Sequence, residues 1–293
     1  MTPYTHGGDV LTARARFGGD VLDCSANLNP LGMPPAVQAA AAAAAADSAR
    51  YPDPLCRALR AAIAAHDGVA PEQVLCGGGA AELIFRLAYA LRPRRALVTA
   101  PAFSEYEEAL TAAGCAVTRH PLRRENRFDV DGGLLDVIAP GVELVFLCTP
   151  NNPTGRLVDG ALLRAAAEQC RAVGAVLAVD ECFLPLSDGA GPGLAALEQC
   201  SDWPEKARAL LASERPALSD GLTALGLEVV PGQANYLLFR AAGAADLKER
   251  MLMRGVLIRS CANYHGLGND WYRVCVGQAE QNRRLLAALK EVL

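Results

Sequence analysis

Thr149-Pro150-Asn151-Asn152-Pro153-Thr154-Gly155 closes an apolar run, Val142-Glu143-Leu144-Val145-Phe146-Leu147, and Asp180-Glu181-Cys182-Phe183 closes a second, Ala175-Val176-Leu177-Ala178-Val179. Runs this short and this apolar, each ending in polar residues, read as strands covered on both faces, which is the habit of parallel sheets. A helical pattern from Gly160 to Val173 lies between them and completes a strand–helix–strand unit. In such sheets ligands gather where strands end, so both motifs stand where chemistry is expected.

The same grammar extends outward. Short apolar stretches at Gln73-Val74-Leu75-Cys76, Ala96-Leu97-Val98-Thr99 and, more weakly, Ala116-Val117-Thr118 alternate with helical patterns such as Glu82 to Leu91. The prediction is an α/β protein with a three-layer αβα, mainly parallel sheet and a smaller C-terminal α+β domain. Residues 1–35 hold many turn formers and read as an irregular arm. Residues 36–200 form the large domain and 201–293 the small one. The small domain is expected to hold helices at Pro204 to Leu225, Ala244 to Arg254 and Ala279 to Val292. Its expected strands are Tyr236 to Phe239, Val256 to Arg259 and Trp271 to Val276. Ala39 to Ala46 reads as a helix of high intrinsic propensity, entered through Pro34-Pro35.

The bulk composition excludes several classes. A chain of 293 residues that is 52% hydrophobic and 20% charged can bury a large core and is not disordered. A net charge of −4 and a pI near 5.7 give no basic footprint for nucleic acid. No apolar run reaches membrane-spanning length, and the N-terminus lacks the pattern of a secretory signal, so a cytoplasmic protein is expected. Ten cysteines stand singly without metal-ligand spacing, which points to reduced core thiols and no metal site.

Five features of the sequence carry chemical meaning. Asp180 ends a strand so apolar that its carboxylate needs a partner to stay charged. Asn152 sits in a tight turn, where simple turn chemistry is the alternative account. Gly77-Gly78-Gly79 opens a helix whose first N–H groups can hold a phosphate, although three glycines alone are more often only a turn. Phe103 follows a strand, and a flat ring there suits a flat cofactor, with a core role as the alternative. Arg259 and Arg273 lie in apolar stretches and should meet an anion, either a ligand or a local carboxylate. A carboxylate for a ring nitrogen and an amide for a ring oxygen are what pyridoxal phosphate requires, and Asp180 and Asn152 suit those two positions.

The chain resembles the fold-type-I aminotransferase superfamily, in the branch of histidinol-phosphate aminotransferase and threonine-phosphate decarboxylase. It leans to the decarboxylase through Ser25-Ala26-Asn27-Leu28-Asn29-Pro30-Leu31-Gly32, Gly79-Ala80-Ala81-Glu82-Leu83-Ile84-Phe85, Asp180-Glu181-Cys182-Phe183 and Arg259-Ser260-Cys261-Ala262-Asn263-Tyr264. The aminotransferases usually place Tyr where Phe183 stands. The resemblance implies an aspartate-aminotransferase-like large domain with pyridoxal phosphate as cofactor. Ala80 and Ala81 would hold its phosphate by backbone groups, Phe103 would stack on its ring, and Asn152, Asp180 and Phe183 would complete the pocket. Tyr51 would reach the cofactor phosphate of a neighbouring subunit, which implies a homodimer. Arg273 would hold a substrate carboxylate, and His6 with Arg259 would favour a substrate phosphate. The implied reaction converts threonine phosphate to aminopropanol phosphate and CO2 for the cobalamin side chain.

One departure from the family is large. After Asp180-Glu181-Cys182-Phe183 the family has a further strand, the Schiff-base lysine and another strand. Here Leu197-Glu198-Gln199-Cys200 runs straight into Ser201-Asp202-Trp203-Pro204-Glu205-Lys206. The only lysines are Lys206, Lys248 and Lys290. Pro204 and Glu205 make Lys206 read as a solvated lysine in the first turn of a helix. The expectation is an internal deletion that removed two strands and the lysine, with catalysis impaired. Three other readings stay open: an aminotransferase, a binding protein without catalysis, and a deletion product with no function of its own. The strand at Gln73 to Cys76 would then face either a new partner beside Ala175 to Val179 or a gap, and the gap is expected.

Overall fold

The computed structural model describes residues 6–46, 48–187 and 202–293. The arm is more regular than its turn formers suggested. Helix α1 (Val10–Phe17) is capped by Asp9, which accepts from the Thr12 N–H, and is ended by Gly18 at φ 80°. The polar residues and glycines read as loop are therefore helix caps. Strand β1 (Leu22–Asp23) follows. Helix α2 (Pro35–Ala45) starts at the proline pair as expected and buries none of its residues. Helix α3 (Arg57–Asp67) completes this stretch.

The large domain is built from α4 (Ala80–Leu91), β2 (Arg95–Ala100), α5 (Ser104–Ala112), β3 (Ala116–Pro121), α6 (Gly133–Val137), β4 (Leu144–Cys148), α7 (Gly160–Val173) and β5 (Val176–Asp180). Its sheet is fully parallel, in the order β3-β2-β4-β5. Every residue of β4 is buried. Leu97, Val145 and Leu147 face one core with α6 and α7, and Val98, Phe146 and Cys148 face another with α4 and α5. That is the three-layer arrangement the apolar runs predicted.

The expected strand at Gln73 to Cys76 is not formed. Pro71–Gln73 is a single 3-10 turn, Val74 is extended, and Leu75 is 67% exposed. A strand needs a neighbour to take its N–H and C=O groups, and among the described residues no strand pairs with it. Among the described residues β5 is paired on one side only, so the sheet ends in a gap rather than in a new ladder.

The small domain holds α8 (Trp203–Ala224), β6 (Glu228–Val229), β7 (Tyr236–Arg240), α9 (Leu247–Leu252), β8 (Val256–Leu257), β9 (Arg259–Ser260), β10 (Trp271–Cys275) and α10 (Ala279–Val292). Its antiparallel sheet runs β6-β7-β10-β9, with Arg273 opposite Arg259 and Leu238. Two expected elements differ. The helix read over Ala244 to Arg254 is confined to α9. The strand read over Val256 to Arg259 divides, because β8 pairs in parallel with β1 of the arm while β9 pairs with β10. One apolar stretch thus serves two sheets. The domain boundary near 200 and the Cys200–Ser201 junction lie outside the described residues. Among those described, no helix is long and apolar enough to cross a membrane, and no cluster of ligating side chains could hold a metal ion.

Candidate functional site

Strand ends, the α4 N-terminus, the arm and the small sheet converge on one cleft of about 480 Å³. His6, Ala80, Ala81, Phe103, Asn152, Asp180, Phe183, Arg259 and Arg273 all line it. Tyr51 does not. It is fully exposed and stands apart from the cleft.

The turn after β4 is pinned from several sides. Asn151 donates from Nδ2 to the Pro101 carbonyl at 3.1 Å and to Thr154 Oγ1 at 3.0 Å, and its own carbonyl accepts from the Tyr236 hydroxyl at 3.0 Å. Gly155, at φ 71°, passes so near the next domain that a Cβ there would lie 3.1 Å from Gly232 Cα. Only glycine fits that crossing. The turn therefore presents Asn152, 5% exposed, in a fixed place. Asn152 Oδ1 accepts from Arg273 Nη1 at 2.5 Å, and the amide NH2 has no acceptor among the described residues.

Asp180 lies across from it. Its Oδ2 accepts from the Tyr106 hydroxyl at 2.7 Å and its Oδ1 from the Cys182 N–H at 3.0 Å. Tyr106 stacks on Phe146 with centroids 5.0 Å apart and meets Phe103 edge-on at 5.8 Å. Burial pushes the Tyr106 phenol well above its ordinary value, so it stays protonated and donates. The Cys148 thiol is likewise pushed up to about 12 by burial and is no nucleophile at neutral pH. Phe183 packs edge-on against Tyr236 at 5.1 Å.

Ala80 and Ala81 open α4, where first-turn N–H groups have no acceptor within the helix. Just before the helix, Gly78 N–H is taken by the chain itself, donating to Glu82 Oε2 at 2.5 Å.

The two arginines decide the electrostatics. Each is 6% exposed. Arg273 donates to Asn152 Oδ1 and, at 3.0 Å, to the Ser25 carbonyl, and its buried Nε has no partner. Arg259 donates to Asn263 Oδ1 at 2.9 Å and lies over the Tyr264 ring at 5.5 Å. Among the described residues neither forms an ion pair, although other arginines do. The alternative of a local carboxylate thus falls away for both. The cleft thus has two buried guanidinium groups in its lining that no carboxylate pairs with among the described residues.

No lysine of the chain lines this cleft. Lys206 is in the first turn of α8, its side chain 59% exposed and paired with Asp202 at 2.5 Å, as expected of a surface helix lysine.

Sequence reading missed Glu105, Tyr106 and Tyr264 as members of the site. The spacing of Phe103 and Tyr106 about the start of α5 brings both rings to one face, which was the available signal for Tyr106.

The model for aminotransferases of class I and II matches residues 19–199 and 189–289. The chain belongs to this family. Threonine-phosphate decarboxylase of Salmonella typhimurium is 37% identical over 351 positions, covering 98% of this chain and 96% of that protein. Histidinol-phosphate aminotransferase of Nitratidesulfovibrio vulgaris strain DP4 is 30% identical, covering 99% and 94%. The crystal structure of histidinol-phosphate aminotransferase from Clostridium acetobutylicum superposes with a TM-score of 0.81 at 21% identity, over 93% of this chain and 99% of that one. The fold is aspartate-aminotransferase-like, and the family depends on pyridoxal phosphate. The family match comes in two stretches that meet at 189–199, beside the junction where the sequence had placed a deletion. The decarboxylase alignment needs 351 positions for a chain of 293 residues, so the relative carries segments that this chain lacks.

Proposed function

We propose that the cleft takes pyridoxal phosphate together with a phosphorylated amino acid of the threonine-phosphate type, and that repeated turnover is impaired. The observation that carries this reading is the presence, in one cleft, of Asp180 and of two buried arginines that form no ion pair among the described residues.

The residues present fit the cofactor. Asp180, held by Tyr106, would face the ring nitrogen, Asn152 would offer its free NH2 to the ring oxygen, and Phe103 would cover the ring. Ala80 and Ala81 would receive the phosphate at the α4 N-terminus. When bound, pyridoxal phosphate supplies an electron sink for the bond that breaks at the amino-acid α-carbon. Arg273 would orient the substrate carboxylate. Arg259 and His6 would bind the substrate phosphate, selecting a phosphorylated amino acid over the free one. No lysine is at hand to exchange with substrate or to move a proton at the α-carbon, so release of product should be slow. The parent reaction on this reading is decarboxylation to aminopropanol phosphate and CO2. The relationship to histidinol-phosphate aminotransferases supports transamination as a second reading. A homodimer in the cytoplasm completes the proposal; the full exposure of Tyr51 and the unburied face of α2 support its dimer part.

The test is calorimetric titration with O-phospho-L-threonine and L-threonine, with and without pyridoxal phosphate, followed by assay of CO2. Preferential binding of the phosphorylated amino acid with at most slow, single-turnover CO2 release is expected. Equal affinity for the two amino acids would sink the proposal.

A further inference from the structure

Glu105 has no part in the proposal above, yet it is one of the buried charges of the cleft, 9% exposed in the first turn of α5. Its Oε1 lies 3.0 Å from His6 Nε2, and its Oε2 accepts from Ser104 Oγ at 3.1 Å. Burial raises its affinity for a proton, and the His6 charge opposes that rise.

His6 belongs to a segment laid flat on the site. A Cβ on Gly7 would stand 2.3 Å from the Ser25 carbonyl oxygen, and Gly8 N–H donates to Ser25 Oγ at 2.8 Å. The same Ser25 carbonyl accepts from Arg273. The His6 ring meets Phe103 edge-on at 6.3 Å. Contacts therefore run without a break from Glu105 through His6, Gly7 and Ser25 to Arg273, along the rim of the cleft.

We propose that Glu105 is a positioning residue: through His6 it holds residues 6–8 along the rim of the cleft, and Glu105 takes up a proton when a phosphorylated ligand enters. The proton-uptake half rests on the reading of the cleft as a phosphate-ester site. The charges that face this pair are mixed. Arg259 and Arg273 from the small sheet favour an entering anion, while Asp180 from β5, Glu108 on α5 and Glu105 itself oppose it. A proton on the pair removes the nearest opposing charge at the moment the anion arrives. Binding of the phosphate ester should then weaken as pH rises through the titration of Glu105.

Two measurements separate the positioning claim from the function it rests on. The first is amide hydrogen exchange of the protein alone. Glu105→Gln should speed exchange at Gly8 by about tenfold or more, because the segment loses its hold, and Glu105→Asp should restore part of the protection. Unchanged exchange at Gly8 overturns the positioning role whatever any ligand does. The second is titration with O-phospho-L-threonine in two buffers of different ionisation enthalpy. The wild-type protein should take up protons on binding, and Glu105→Gln should abolish that uptake. Glu105→Gln and His6→Ala should each weaken binding by about tenfold, and the double variant by no more than either, as for two residues acting as one. Uptake that persists in Glu105→Gln, or losses that add, would overturn the proton-linked half. Failure of the wild-type protein to bind the phosphate ester would overturn both that half and the proposed function, while Gly8 exchange still decides the positioning claim.

Discussion

Asn152 Oδ1 accepts from Arg273 Nη1 at 2.5 Å, so the turn that ends β4 and an inner strand of the small sheet are joined by one contact across the cleft. The contact orients both partners. It aims the guanidinium with help from the Ser25 carbonyl, and it turns the Asn152 NH2 away from Arg273. The proposed cofactor side and substrate side of the site thus meet in this contact, beside the Tyr236 hydroxyl that also holds the turn.

Arg273→Ala should weaken binding of O-phospho-L-threonine by on the order of 2–5 kcal/mol, because a buried charged pairing is lost from one side. Lys206→Ala should leave it unchanged, since that lysine is exposed and paired only with Asp202. Titration calorimetry on both variants, with circular dichroism to confirm folding, decides the matter. Equal effects would make the arginine structural.

Borohydride reduction of the protein mixed with pyridoxal phosphate should leave no lysine stoichiometrically labelled, because none lines the cleft. Peptide mapping by mass spectrometry reads the result. Specific labelling of Lys206 would contradict the proposed loss of turnover.

Alkaline pH should destabilise the fold through its buried phenols. Burial holds Tyr106 and Tyr236 well above their ordinary value of 10, whereas in the unfolded chain they ionise near it. Their contribution is complete below pH 10 and is lost as pH climbs from there toward the folded values. Thermal unfolding of Tyr106→Phe should fall less steeply above pH 10 than that of the wild-type protein. Parallel curves would remove Tyr106 from this account.

The open side of β5 should promote association. Val176 is 42% exposed at the start of this edge strand. Val176→Lys places a charge on the edge and should reduce concentration-dependent light scattering without altering ligand binding. Scattering that is unchanged by the lysine would place the contact elsewhere.

The fold was largely readable because β4 and β5 are short, apolar and bounded by turn chemistry, and because α7 and α10 follow their helical periods end to end. Gln73 to Cys76 misled for a plain reason: strand propensity is local, while a strand exists only with a partner beside it. Val256 to Arg259 misled because an apolar run does not say which neighbour each half will pair with. In the site, Asp180 and the arginines stood out as charges in apolar surroundings. Glu105 did not, because its burial depends on His6, a hundred residues earlier in the chain, folding back over it.

That neither Arg259 nor Arg273 forms an ion pair among the described residues has a consequence for stability as well as for binding. Two positive charges held out of water cost stability for as long as nothing negative answers them. An anion of suitable shape repays that cost, so it acts as a part of the fold supplied from outside, and the gain grows with its concentration. On the proposed reading, abundance should follow supply: the protein should last longer where phosphorylated amino acids are plentiful than where they are scarce.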